Sequence, residues 1–558
     1  METVTLTTGK AALIDVLRSE GVEYVFGIPG ATEIQFMDSL EQAPEIRYIL
    51  GLHETVCVGM AEGYARATGR PGLLNLHTAP GLAAGTPLLY NAMIGGVPLV
   101  VTVGQNDTRL LQRDPHLTGD IVGIGKPHAK WSTELVHAAD LPTVLHRAFK
   151  MAMQPPMGPV LVSIPQNVLA QELDYRPTAP TVVSSGLRGD ADAIARAAAI
   201  LVAAERPLML VESGVARCGA LREVVALAEA TGARVQQAWM SDVNFPTDHP
   251  QYLGDFDPAS PAGAEVLRHA DVIVGVGCSL FAEAFSPLDP TLCEHASVIH
   301  IDDDPWELGK NIPTDCAIHG DIKAVLADLL TALGQALQPE SRAAAQQRAA
   351  LLAAEKDVTR AAFERQAQIN RDASPVTLHR LMQEVRRVVT PRTIIVDECW
   401  SASPILRETL QPTATGSFIR SRQGGSIGEG LPSALGVKLG RPAQDVIAVV
   451  GDGSAAWSMQ SLWTAARYSI PVTYVITNNA TYRQVKLVRK AVLGEYPLNE
   501  PHEGMELDRP VIDFTALAGS LGVRGERVAD PADLNRALSE AVASGEPRMV
   551  EVMVEHRA

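Results

Sequence analysis

Val446-Ile447-Ala448-Val449-Val450-Gly451-Asp452-Gly453-Ser454, followed by an apolar-periodic stretch over 455–468 and then by Val472-Thr473-Tyr474-Val475-Ile476-Thr477-Asn478-Asn479-Ala480-Thr481, decides the fold of this chain. Five small or β-branched apolar residues in a row read as a strand buried on both faces, and the glycines around Asp452 end it. The spacing over 455–468 predicts a helix, and 472–477 predicts a second apolar strand. Strand, helix and parallel strand joined by a right-handed crossover bring both strand ends to the carboxyl edge of one sheet. Asp452 and Asn479 therefore converge. A carboxylate oxygen, an amide oxygen and the backbone carbonyl of Thr481 are hard ligands that suit Mg²⁺, with phosphate oxygens and water completing the octahedron. Gly453 and Ser454 let backbone amides approach those phosphates at a helix N-terminus.

The same alternation extends outward from this unit. Strands are predicted at 393–396 and 549–554, so the third unit covers 375–558. A first unit over 1–175 opens with an amphipathic helix carrying Ala12, Leu13, Val16 and Leu17, and its strands are predicted at 24–26, 47–52, 72–77, 97–104 and 159–164. Pro177, Pro180, Ser184, Ser185 and Gly186 mark a linker between Pro165 and Asp190. The central unit, 190–335, has strands predicted at 208–211, 272–276 and 298–301, and the Ala-, Gln-, Arg- and Glu-rich stretch 336–374 reads as a helical connector. The expected fold class is α/β, with three parallel-sheet domains. The first and third units share size and alternation but no residue-level period, which excludes a solenoid and leaves an old duplication open.

Composition excludes several functions. A chain of 558 residues is too long for one core, and 46% hydrophobic against 20% charged residues describes a folded protein. With 47 Lys and Arg against 64 Asp and Glu, the net charge of −17 lacks the basic footprint of a nucleic-acid binder. Six cysteines without a C-x-x-C pair argue against a disulfide framework and a zinc cluster, and fit a reducing compartment. No apolar run reaches the roughly 18 residues of a membrane span, and residues 1–10 do not form a signal peptide. A cytoplasmic protein without a membrane partner is expected. In the central unit Gly275-Val276-Gly277 lacks the third glycine of a dinucleotide fingerprint, so that unit reads as structural.

Gly451-Asp452-Gly453 closing with Asn478-Asn479 resembles the cofactor fingerprint of thiamine diphosphate enzymes. The resemblance covers nearly the whole chain. Val25-Phe26-Gly27-Ile28-Pro29-Gly30, His53-Glu54 with Ala61-Glu62-Gly63-Tyr64-Ala65, and Gly425-Ser426-Ile427-Gly428 with Leu431-Pro432 are similar to the pyruvate-oxidase and acetolactate-synthase superfamily. Leu76-His77-Thr78-Ala79-Pro80-Gly81 and Leu462-Trp463-Thr464-Ala465-Ala466 look most like benzoylformate decarboxylase. The resemblance implies pyrimidine-binding, central and diphosphate-binding domains. It also implies a homodimer or homotetramer whose active site lies at the subunit interface.

What the resemblance implies for single residues is specific. Glu54 would hydrogen-bond the aminopyrimidine and promote its imino tautomer, Ile427 would wedge between the cofactor rings, and the Gly425 carbonyl would accept from the exocyclic amine. Asp397, Glu398 and Ser401 fall where relatives contact diphosphate or pyrimidine. Asp452, Asn479 and Thr481 would hold the metal, with Gly453, Ser454 and Tyr482 against the cofactor. His77 would handle protons. Ala31, His77, Arg422, Gln423, Gln484, Val485 and Val488, together with Arg420, would line the substrate pocket.

Two departures stand out. Ala31 replaces the serine that touches the substrate carboxylate in benzoylformate decarboxylase, and Ser279 to Pro287 offers no second histidine. The aryl-glyoxylate substrate is therefore not carried over, and arginine at the pocket mouth is compatible with an extra anionic group on the substrate or with a surface ion pair. The implied activity is a thiamine diphosphate- and Mg²⁺-dependent, non-oxidative decarboxylation of a small 2-oxo acid to an aldehyde, with carboligation as a second fate. An acetolactate-synthase-like carboligase and a 2-hydroxyacyl-CoA lyase are the alternatives within the class. A catalytically silent cofactor binder and a nucleotide-dependent oxidoreductase are the alternatives outside it. Acetolactate-forming relatives place FAD against the central domain, but no residue here reads as a flavin contact.

Overall fold

The computed structural model describes residues 5–238, 241–282, 289–421, 423–494, 497–498 and 500–555, so Arg422 lies outside the described residues. Three six-stranded sheets carry the chain, and every strand pair within them is parallel. The first runs, edge to edge, through Arg47–Leu50, Tyr24–Gly27, Gly72–Leu76, Leu99–Gln105, Val160–Pro165 and Trp131–Glu134. The third runs through Phe418–Arg420, Thr393–Glu398, Asp445–Gly451, Thr473–Asn478, Arg548–Met553 and Arg524–Val528. Counted along each unit, both have the order 2-1-3-4-6-5. Identical order in two units of one chain is the topological trace expected of a duplication. The central sheet differs: Tyr252–Phe256, Arg234–Ala238, Pro207–Val211, Val272–Val276, Ser297–Asp302 and Cys316–His319 follow the order 3-2-1-4-5-6.

Two expectations are narrowed. Residues 166–175 belong to the first unit, because Glu172–Tyr175 pairs antiparallel with Thr5–Thr8 and ties the start of that unit to its end; the irregular linker is 176–190. The crossover read as one helix over 455–468 is two, Asp452–Ser458 and Ser461–Arg467, broken where the amides of Leu462 and Trp463 bond three residues back. The connector contains one long helix, Pro339–Gln366, whose single buried residue, Ala345, docks on the central unit at Gly232.

The first and third units share one core. Helix Glu54–Thr68 lies along helix Gly430–Gly440, and the two pack backbone to backbone. A Cβ at Gly63 would fall 2.0 Å from the Ser433 carbonyl oxygen, and one at Gly436 would fall 1.9 Å from that of Met60. Neither neighbour is a movable side chain, so glycine is required at both positions. Among the described residues no helix is long and apolar enough to cross a membrane, and no disulfide joins any of the six cysteines.

Candidate active site

Strand Asp445–Gly451 runs directly into helix Asp452–Ser458, which places the Asp452 carboxylate at the carboxyl edge of the third sheet. Its Oδ1 accepts from the Gly453 amide at 2.8 Å, while Oδ2 is buried without a protein partner. Burial raises its pKa to about 7, against the opposing pull of the backbone amides of Gly453, Ala480, Asn479 and Thr481. A buried carboxylate with one oxygen unsatisfied is costly unless a cation completes it. The neighbouring strand supplies the partners such a cation needs. Asn478 is engaged elsewhere, its Nδ2 donating to Glu551 at 2.7 Å, but Asn479 stands at the turn, and Ala480 takes a left-handed conformation at φ 54°. The Asn479 Oδ1 accepts from the Thr481 amide at 3.1 Å, and the Thr481 carbonyl from the Arg483 amide at 2.9 Å. Each oxygen keeps a further lone pair. Among the described residues no three His, Cys, Asp or Glu side chains are grouped to hold a metal, so the amide and carbonyl oxygens and phosphate would have to complete the set. The donor set fits Mg²⁺ with a diphosphate. Gly453 is pressed under Tyr482, whose ring Cε1 lies 2.4 Å from where a Cβ would stand.

Glu398, at the end of strand Thr393–Glu398, is buried, and its oxygens accept from the amides of Gly428 at 2.8 Å and Gly430 at 2.6 Å. Its visible bonds shape the loop that carries Ile427. Gly425 and Gly428 both stand at φ 92°, a region closed to most side chains, and between them Ile427 is half-buried instead of joining the core. Asn91 grips the same loop, its amide donating to the Ser426 carbonyl at 2.9 Å and accepting from the Ser426 amide at 3.0 Å. Ser401 sits half-exposed in the short turn Trp400–Ala402.

Two expectations from the sequence are corrected here. Asp397 and Arg420 pair with each other, both fully buried, and the Asp397 Oδ1 also accepts from Ser403 Oγ at 2.8 Å and the Cys399 amide at 3.0 Å. A satisfied interior ion pair leaves neither group for cofactor or substrate. Gln423 spans a seam, its Nε2 donating to Ser213 of the central unit at 3.2 Å. Gln484, Val485 and Val488 lie on helix Arg483–Leu493, with Val485 exposed and the other two half-buried.

The second group of expected residues is in the first unit. Glu54 opens helix Glu54–Thr68, and His53 caps it by accepting from the Thr55 amide at 3.2 Å. His77 directly precedes helix Thr78–Ile94. Gly81 nests between them: a Cβ there would lie 3.0 Å from Glu54 Oε1 and 3.6 Å from His77 Cβ. One residue escaped the sequence reading. Glu33 is buried, and its Oε2 lies 2.7 Å from His77 Nδ1 while accepting from the Gly30 amide at 2.9 Å. Its other oxygen accepts from Thr32 Oγ1 at 2.8 Å. The signal was present as a glutamate three residues after Gly30, the reach-back position of a capping box. Ala31 is exposed beside it.

Within one chain these two groups do not meet. His77 precedes helix Thr78–Ile94 and Asn91 lies in its last turn, and fourteen residues at about 1.5 Å rise put roughly 21 Å between His77 and the residue that grips the Ile427 loop. One half-site holds Glu54, His77 and Glu33, the other Ile427 and Asp452. Exposed apolar side chains flank both: Ile34 (60%) and Leu52 (45%) beside the first, Trp457 (53%) beside the second.

Comparison with known proteins assigns cofactor-binding domains to the first and third units. The chain matches the family models "Thiamine pyrophosphate enzyme, N-terminal TPP binding domain" over residues 7–124, "central domain" over 194–329 and "C-terminal TPP binding domain" over 403–552. It is 31% identical to the benzoylformate decarboxylase of Pseudomonas aeruginosa, over 98% of this chain and 99% of that one. It is 29% identical to the probable acetolactate synthase large subunit of Methanocaldococcus jannaschii, over 98% and 92%. Among solved structures, a thiamine diphosphate-dependent 4-hydroxybenzoylformate decarboxylase from Rhodococcus jostii superposes with a TM-score of 0.81 at 30% identity, covering 98% of this chain and 99% of that one.

Proposed function

Since this chain belongs to the thiamine pyrophosphate enzymes, we propose that it decarboxylates a small 2-oxo acid non-oxidatively, releasing CO₂ and an aldehyde, in a site assembled from two copies of the chain. The observation that carries this reading is the placement of Glu54 and the carboxylate-held His77 on either side of Gly81, with His77 about 21 Å along a single helix from the residue that grips the loop that would receive the rest of the cofactor. Each half-site lacks what the other offers.

Asp452, Asn479 and the Thr481 carbonyl would hold Mg²⁺ and through it the diphosphate, beside Gly453, Ser454 and Tyr482. The Gly425 carbonyl and Ile427 of the same chain, and Glu54 of a second copy, would hold the pyrimidine and its bent attachment. Bound thiamine diphosphate supplies a carbanion that adds to the 2-oxo carbonyl and an electron sink for the bond broken as CO₂ leaves. Glu54 would share a proton with the pyrimidine nitrogen. Glu33 holds His77 with Nδ1 as the proton donor, which leaves Nε2 to carry a proton to or from the reacting carbon. The exposed apolar residues around both half-sites would be covered on association, excluding water from the reaction.

The acetolactate-synthase-like reading, condensation with a second carbonyl, has comparable support in the 29% identity to such an enzyme. Incubation with aromatic, branched and dicarboxylic 2-oxo acids, with CO₂ and products identified, separates the two. Free aldehyde is expected, and a hydroxyketone without aldehyde would instead establish the carboligase.

A further inference from the structure

The central unit contains a cavity of about 770 Å³ that the reaction above does not use. Its floor is one face of the sheet. Arg234 pairs in register with Leu208, and Gln236 with Leu210, so Leu208, Arg234 and Gln236 share that face, with Leu253 and Asp255 of the edge strand beside them. Helix Pro261–His269 forms one wall through Val266, and Arg348, Leu351 and Leu352 of the long helix Pro339–Gln366 form the other. The cavity lies toward the amino ends of the strands, at Pro207 and Arg234. The crevice where a Rossmann-ordered sheet takes a dinucleotide lies past their carboxyl ends, at Gly214 and Gly277.

Most charges around the cavity are already matched. Arg234 pairs with Glu355 at 2.5 Å, Asp255 with Arg407 at 3.2 Å, and Arg206 Nε donates to the His269 carbonyl at 2.6 Å. Two polar atoms are not. Gln236 is 8% exposed, its Nε2 is turned to the Leu253 carbonyl, and its Oε1 is buried with no partner. Arg348 donates through Nη2 to the Thr231 carbonyl at 2.6 Å, which fixes the guanidinium and leaves Nε buried and unpartnered. An interior acceptor and an interior donor, each held in place by its other end among ion-paired side chains and the apolar Leu208, Leu253, Val266 and Leu352, describe a built site with complementary demands. The rim adds a sign: Glu205, Asp257 and Glu265 are exposed acids, and although Arg206 faces Glu205 at 3.5 Å and Arg268 faces Glu265 at 2.9 Å, the excess of acids repels multiply charged anions.

We infer that this cavity binds a small, mainly apolar monoanion that also carries a hydrogen-bond donor, such as a hydroxyaryl-alkyl carboxylate, with its charged end on Arg348 and its donor on Gln236. Volume, the leucine and valine side chains of the lining and the two unmet polar atoms select that class, and the excess of acids on the rim selects against nucleotides and other polyphosphates.

Anilinonaphthalene sulfonate has the required parts, an aromatic body, one negative charge and one N–H, and reports burial by its fluorescence. Titrated into the enzyme loaded with thiamine diphosphate and Mg²⁺, it is expected to bind at one site per chain and to be displaced by para-hydroxyphenylpropionate but not by ATP. Val266→Trp and, from the opposite wall, Leu352→Trp narrow the cavity between its two helices and are expected to weaken this binding by about tenfold or more, as is Arg348→Met. Turnover should stay within twofold of wild type in all three. Two narrowing variants on different elements guard against one failing to fold, which circular dichroism checks. Binding unchanged in the folded variants, or displacement by ATP in preference to para-hydroxyphenylpropionate, would overturn the assignment.

Discussion

His77 Nδ1 stands 2.7 Å from Glu33 Oε2, and the glutamate is held for that contact by the Gly30 amide and the Thr32 hydroxyl. A buried carboxylate anchored by two donors fixes both the tautomer and the plane of the ring it touches. Replacing Glu33 with Gln should therefore lower kcat by about 10²-fold, close to the loss from His77→Ala, the usual worth of a positioned acid or base. The double variant should lose no more than the worse single one, because the two act as one unit. Steady-state rates of the three variants decide it, and additive losses would show that Glu33 acts independently of the histidine.

Glu54→Gln keeps the shape of the first helical turn and its cap but removes the proton. Cofactor binding should remain within severalfold of wild type while kcat falls by about 10²-fold or more. Calorimetric titration with thiamine diphosphate, set beside turnover, separates these outcomes. Equal turnover would remove Glu54 from the chemistry.

The parts of this architecture that a sequence displays are those with a repeating apolar pattern. The interior strands were legible because burial on both faces demands continuous apolar runs: 272–276 was placed without error, and 393–396 within two residues. The missed strands sit mostly at sheet edges. Trp131–Glu134, Arg524–Val528, Tyr252–Phe256, Cys316–His319 and Phe418–Arg420 each border solvent or another unit on one side, and Trp-Ser-Thr-Glu or Arg-Gly-Glu-Arg-Val offers no run to find. In the site, Asp452 and Asn479 were legible because one crossover joins them. Glu33 and His77 are 44 residues apart on different connections, and nothing local announces their contact. Asp397 and Arg420 failed for the opposite reason: polar residues at a carboxyl edge look functional until a partner across the next strand is seen to satisfy them.

All three units meet at one arginine. Arg66 faces Glu62 of the first unit at 3.8 Å, Asp242 of the central unit at 2.6 Å and Glu429 of the third at 3.2 Å. Three carboxylates around one cation cannot all be charged in the interior, and burial first, then the charge of Glu429, holds the Glu62 pKa well above the ordinary carboxyl range. The folded state thus keeps a proton on Glu62 that the unfolded chain releases above its ordinary pKa. Stability from this group is full at acid pH and is lost as pH rises toward the folded pKa, by up to roughly 1.4 kcal/mol per pH unit. Glu62→Gln carries the neutral form permanently, so its melting temperature should fall less than that of wild type between pH 5.5 and pH 8.5. Parallel pH slopes would show that Glu62 is ionised in the fold.

A site divided between copies has a signature in mixtures. Glu54→Gln and Asp452→Ala disable different half-sites, and each pure variant should be nearly inactive. In a mixed dimer, one site inherits both defects, while the other takes Glu54 from one chain and Asp452 from its partner, both intact. After subunit exchange at equal amounts, half of the dimers are mixed and each regains one of its two sites, so activity should return to about a quarter of wild type. A site built within a single chain cannot recover in this way, because every chain in the mixture carries a defect of its own. Turnover of the exchanged mixture, compared with the two variants assayed apart, therefore tests the 21 Å separation along helix Thr78–Ile94 by function.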